Sequence, residues 1–243
     1  EKALFSSNFD DALSGYRPYV DSTSLVNWYI ATEMTANVDG FWSTYFYKEK
    51  DDYHIYFGPL WDYDIAYNNC SRTGDMTNAL MIDKGYGLNL SGAWVTQMWK
   101  DKWFANRVNT RWKEIVNSGL STYLTSKTDS LASVLAKSEV ENYKKWSISY
   151  RYYNELVLHS SYKDYIDDLH NFISNHITYL TKQFASRSIT GGGATQAFTP
   201  LTNYYYRIYN KGASIALIDV TNSGTTAGST ICVYTSTRDH QAQ

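Results

Sequence analysis

The chain has 243 residues, 43% hydrophobic, 16% aromatic and 19% charged, a composition that excludes disordered, collagen-like and coiled-coil proteins. Its 22 basic and 24 acidic side chains leave a net charge of −2, and no basic run exceeds Lys144-Lys145, so the electrostatic footprint of a nucleic-acid binder is missing. No apolar run approaches the roughly 18 residues that a membrane-spanning helix needs, and two cysteines, Cys70 and Cys232, define no disulfide framework.

Glu1 opens the chain with no signal-peptide core behind it, and the sequence is expected to be a processed or excised piece. Asp21-Ser22-Thr23-Ser24 offers an N-cap to an amphipathic helix carrying Leu25, Trp28, Tyr29, Thr32 and Ala36. Ser43–Lys48 and Tyr53–Gly58, rich in aromatic and β-branched residues, flank the polar Glu49-Lys50-Asp51-Asp52 and predict a hairpin. It leads into Gly58-Pro59-Leu60-Trp61-Asp62-Tyr63-Asp64 and then a loop-like stretch over 66–92, where backbone can serve a ligand.

Apolar residues at helical spacing predict further helices over about 93–117, 120–136, 138–157 and 162–185, the last with Phe172, Ile173, His176, Ile177 and Leu180. Trp99, Trp103 and Trp112 form a stripe that reads as core rather than as a sugar groove. Ser186–Gln196 is polar and glycine-rich, the signature of a flexible linker. Strands are expected at Tyr204–Asn210, Ile215–Val220 and Thr230–Thr235. So small a β segment cannot bury enough surface to be stable alone, so the chain is expected to stop inside its second domain. The fold class is α+β: a mostly helical body with a hairpin, plus a small all-β segment.

The order helix, Asn37-Val38-Asp39, hairpin, Trp61-Asp62-Tyr63-Asp64 suits phosphoryl transfer. A kinase-type site needs a carboxylate at the acceptor hydroxyl, a polar metal ligand five residues on, and an Asp on the metal after a hairpin. Asp39, Thr44 and Asp62 hold that spacing, with Thr44 standing where kinases place Asn. Oxygen-only ligands favour Mg2+ or Mn2+, with Ca2+ also compatible. Spacing leaves a bland alternative open: Asn37 as a helix C-cap, Asp39 in a turn, and Asp62 and Asp64 bonded to loop amides. Glu33 lies four residues before Asn37, where a solvated side chain is the ordinary outcome. The five histidines show no metal spacing and no nucleophile elbow is present.

Glu33–Gly40, Ser43–Lys48 and Gly58–Asn68 closely resemble the CotH family of spore-coat kinase-like proteins. The resemblance extends through Trp94, Met98, Trp99, Phe104, Arg107, Arg111 and Trp112 and covers about 1–186. It implies the helical C-lobe of an atypical protein-kinase-like fold. In those members that phosphorylate Ser/Thr of secreted or coat proteins, ATP and a divalent metal are used. Residue by residue, it implies Asp39 as catalytic aspartate, Asp62 as metal ligand with Thr44 and Asp64, and Asn37 and Glu33 in support. It also implies an N-terminal lobe ahead of Glu1, bearing a phosphate-binding Lys; without that lobe the chain is expected to bind ATP poorly. The alternative is a non-catalytic adhesion or carbohydrate-associated surface module.

Tyr204–Gly212, Leu217–Val220, Gly228–Ile231 and Asp239-His240-Gln241 resemble the first repeat of a ricin-type β-trefoil lectin over about 203–243, with 187–202 as the linker. Carried over, Asp219, Tyr234, His240 and Gln241 would grip a sugar, the ring stacking a pyranose face while polar groups bond its hydroxyls. The bland alternative is Asp219 closing a β-turn and Tyr234 packing in a core. The resemblances together imply a secreted or cell-surface monomer whose partner is a protein substrate or surface glycan.

Overall fold

The computed structural model describes residues 1–188, 209–210, 213–220 and 231–235. The chain divides into two compact units, Glu1–Gly191 and Gly192–Gln243. The predicted linker, His240 and Gln241 lie outside the described residues, apart from the few residues at the linker's start that end the last helix.

In the first unit a 3-10 turn at Arg17–Tyr19 leads into helix α1, Ser22–Thr35. As the sequence predicts, Asp21 caps it, the side chain accepting from the Ser24 N–H at 2.7 Å. Helix α1 shows no single apolar stripe and buries nine residues on most of its faces, polar Thr32, Glu33 and Thr35 among them with Leu25, Trp28 and Tyr29, as a helix in the middle of a core does. It ends where Ala36 turns left-handed at φ 46°, with the Ala36 N–H on the Thr32 and Glu33 carbonyls. Ala36, not Asn37, is therefore the C-cap.

The hairpin is present, but shorter than predicted. Strands β1, Phe46–Tyr47, and β2, Tyr56–Phe57, pair antiparallel with Phe46 opposite Phe57. The Trp28 ring packs against Phe46, Phe57 and Phe41, pinning the hairpin on α1. A short helix α2, Met81–Lys84, sits within the predicted loop.

Two helix boundaries differ from the sequence pattern. The segment predicted as one helix over 93–117 is two, α3, Ser91–Met98, and α4, Lys102–Asn117. The break falls at Asp101, whose buried carboxylate caps α4 through the Trp103 N–H and also takes the Arg17 guanidinium and the Tyr16 hydroxyl. The two helices predicted over 120–136 and 138–157 are instead one, α5, Leu120–Lys145, followed by an irregular connection to α6, Tyr162–Arg187. Ala136-Lys137-Ser138 carries no Gly or Pro to stop the helix, so propensity continues through the slip in apolar period.

Helix α1 is packed by α4, α6, α2 and β2. Trp112 is fully buried, its indole N–H on Thr181 at 2.9 Å, while Trp99 and Trp103 flank the core as predicted. In the second unit β3, Tyr209–Asn210, β4, Ala213–Val220, and β5, Ile231–Thr235, form an antiparallel sheet in the order β3-β4-β5. Asp219 lies within β4, paired with Cys232, so it closes no turn; Tyr234 pairs with Leu217. The described residues there amount to a three-stranded sheet and do not establish a trefoil repeat. No described helix is long and apolar enough to cross a membrane.

Candidate functional site

The end of α1 sets the geometry. Once Ala36 reverses the chain, Asn37 is buried, and its side chain does two things. Its carbonyl accepts from the Asp39 N–H at 3.2 Å, and its amide donates to the Asp62 carbonyl at 3.4 Å. The main chain repeats the stitch: the Val38 N–H bonds the Ile65 carbonyl at 3.2 Å, and the Tyr67 N–H bonds Thr35. The Trp42 and Ser43 N–H groups both close onto the Asp39 carbonyl at 2.8 Å. Residues 25 apart in sequence thus become one rigid corner carrying Asp39 and Asp62.

Electrostatics link the carboxylates. Asp62 is held above the ordinary aspartate range chiefly by the charge of Asp64, with desolvation, a hydrogen bond to Asp64 and the charge of Asp39 adding to it. Asp64 also accepts from the Ile65 N–H at 2.9 Å, so the loop-amide alternative holds for Asp64. Asp62 itself sits at φ 58°, in the left-handed region that non-glycine residues rarely adopt. Such backbone strain clusters at functional sites. Exposed Trp42, Tyr45 and Trp61 lie nearby in sequence, the last two in edge contact at 5.5 Å.

Thr44 is turned to a different task. Its hydroxyl donates to the Gly40 carbonyl at 3.0 Å and lies 3.2 Å from Ser91 Oγ, which donates to Phe41 at 2.7 Å. The structure thus brings Asp39, Asp62, Asp64 and Asn37 together and ties Thr44 into the turn after Asp39.

Glu33 corrects the expectation of a solvated side chain. It is fully buried, and its two carboxylate oxygens accept from the Met81 and Ile82 N–H groups at 2.7 and 3.0 Å, at the start of α2. Burial pushes its carboxyl up to about 7, against the opposing pull of those N–H bonds and of the Tyr29 hydroxyl. Beneath it, both ring nitrogens of buried His176 face carbonyl oxygens, Glu33 at 2.8 Å and Thr77 at 3.1 Å. Desolvation outweighs those two carbonyls and lowers the His176 pKa. Glu33 and His176 therefore clamp the 66–92 loop to α1 at Thr77, Met81 and Ile82, while Asn37 fixes the preceding segment at Asp62.

Arg72 is a site residue that the sequence did not disclose. It lies on a 3-10 turn, Ser71–Thr73, with its Nη1 3.7 Å from an Asp39 carboxylate oxygen. No local pattern marks it; only the fold carries it to Asp39.

The donor set can be tested against a divalent cation. Among the described residues no three His, Cys, Asp or Glu side chains converge on one point. Yet Mg2+ is ordinarily held by one or two carboxylates together with waters and substrate phosphates. The Asp62–Asp64 pair meets that requirement, and a cation would relieve the repulsion that raises Asp62.

A family model described as CotH kinase protein matches residues 4–180. No curated protein and no solved structure matches the chain.

Proposed function

Because the chain belongs to the CotH kinase protein family, we propose that its kinase-like unit transfers the terminal phosphoryl group of ATP to Ser or Thr hydroxyls of extracellular or coat proteins. The observation that carries this is the Asn37 bridge, which fixes Asp39 against the loop of Asp62 and Asp64. Asp39 orients the acceptor hydroxyl and takes its proton. Asp62 and Asp64 would hold Mg2+ or Mn2+, which would supply charge neutralisation at the phosphates. Asn37 keeps the two halves in register, and Glu33 anchors the downstream Met81–Ile82 turn to α1.

On the lectin resemblance alone, we also propose that Asp219 and Tyr234 of the second unit bind glycan, which would keep a secreted or surface-bound protein near its substrates by raising their effective concentration. A second function, a non-catalytic adhesion or carbohydrate-associated module, is favoured by one observation: Thr44, a ligand position in kinases, spends its hydroxyl proton on Gly40.

Incubation of the protein carrying the N-terminal lobe that the family resemblance implies with terminally labelled ATP, Mn2+ and extracellular or coat proteins, read by mass spectrometry for phosphoserine and phosphothreonine, separates the two. Label on Ser or Thr that vanishes in Asp39→Asn supports transfer. Unlabelled acceptors with a folded protein favour the binding module.

A further inference from the structure

Arg72 is held by two rings beside its ion pair with Asp39. Its guanidinium carbon lies 4.9 Å from the Tyr153 ring centroid and 6.0 Å from that of Tyr86, within reach of cation–π attraction on both. Each ring is fixed by separate main-chain ties. The Tyr86 N–H bonds the Val38 carbonyl at 3.1 Å, next to Asp39. Tyr153 rides on the connection after α5, where its N–H and that of Tyr152 bond the Glu155 carboxylate. That connection is stitched to the Arg72 turn by Ser71 N–H to Asn154 at 2.6 Å and Leu156 N–H to Asn69 at 3.0 Å.

The guanidinium is nonetheless unspent. An arginine carries five N–H donors, and among the described residues none of those of Arg72 makes a hydrogen bond; 3.7 Å to Asp39 is an ion pair beyond hydrogen-bond reach. The side chain is 25% exposed, and its nitrogens are reached by water rather than sealed in the core, so an incoming oxyanion can take those donors by displacing water. A planar fork, preset by two rings and left open beside the carboxylate that faces the acceptor hydroxyl, matches a tetrahedral oxyanion.

We infer that Arg72 is a phosphoryl-binding residue: its N–H groups take the non-bridging oxygens of the group being transferred. The identity of that oxyanion rests on the phosphoryl-transfer assignment above. In the step itself, the acceptor O–H gives its proton to Asp39 while its oxygen forms a bond to phosphorus. The bond from phosphorus to the bridging oxygen breaks, and ADP leaves with the electron pair. Arg72 enters no bond change and stabilises charge on the spectator oxygens.

The test is titration of orthophosphate into the full chain with Mg2+ present, followed by calorimetry, for wild type, Arg72→Gln, Arg72→Lys and Tyr153→Leu, each checked for folding by its melting curve. Arg72→Gln is expected to weaken phosphate binding about 10- to 100-fold, the worth of a charge-assisted hydrogen bond or two. Arg72→Lys, which keeps charge but loses the fork, and Tyr153→Leu, which loosens the clamp, should each fall between. Equal binding by wild type and Arg72→Gln, or no binding by folded wild type, overturns the inference. Arg72-dependent phosphate binding in a protein that labels no acceptor would sink the kinase assignment and leave Arg72 as an oxyanion receptor.

Discussion

Helix α1 buries nine of its 14 residues, whereas α5, with 26, buries none and leaves Leu131, Val134, Leu135 and Val140 exposed. Both are uninterrupted by Gly or Pro, but different forces hold them. Helix α1 is fixed by packing on most of its faces, so the residues just beyond it, Asn37 to Asp39, start from a rigid point, as a site requires. Helix α5 rests on intrinsic propensity, one flank against α6 and surface pairs such as Lys144–Glu141, which contribute little. Position in the core, rather than helix length, decides which helix can aim a functional group.

The contrast breaks most sharply at Asp39. Asp39→Ala should lower phosphoryl transfer about 10²- to 10⁴-fold, the ordinary worth of a general base, without moving the melting temperature; an unchanged rate would remove Asp39 from the chemistry. Next comes the core of α1. Leu25 is fully buried, and Leu25→Ala should cost about 2–5 kcal/mol in denaturant unfolding. A cost under 1 kcal/mol would show that α1 is not the packed centre.

Glu33→Gln tests the buried clamp. One of the two amide N–H groups would lose its acceptor, at about 1–3 kcal/mol. The pH dependence has a definite sign. The Glu33 carboxyl is raised from its ordinary 4.5 to about 7 in the folded protein, so the native state holds a proton that the unfolded chain releases. The stability it contributes is complete below pH 4.5 and falls as pH climbs towards 7. Glu33→Gln should flatten that decline in melting curves taken from pH 4 to 8; an unaltered slope would exclude Glu33 as its source. His176, lowered by burial, works oppositely, costing stability as pH drops below 6.5. The smallest effect belongs to α5: Val134, 75% exposed, should tolerate Ala within about 0.5 kcal/mol, and a larger loss would mean that this face is covered.

Much of this was legible in sequence because it is local. Asp21 caps α1 as its neighbours predict, the hairpin follows its β-rich runs, and the motifs between Glu33 and Asn68 carried the family resemblance. What escaped depends on distant partners. Asp101 breaks a continuous helical pattern because Arg17 and Tyr16 need its carboxylate. Glu33 looks solvated until its neighbours Ile30 and Met34 are seen to be buried and α2 presents two bare N–H groups to it. Arg72 reaches Asp39 only because the chain beyond α5 returns to hold its turn.

The most direct test of the central claim is calorimetric titration with ATP and Mg2+ or Mn2+ of the protein carrying the N-terminal lobe that the family resemblance implies, beside Asp62→Ala. Metal-dependent nucleotide binding that disappears in the variant is the predicted result. Binding that survives the substitution, or a folded protein that binds neither metal nor nucleotide, would contradict a phosphoryl-transfer site at Asp39, Asp62 and Asp64.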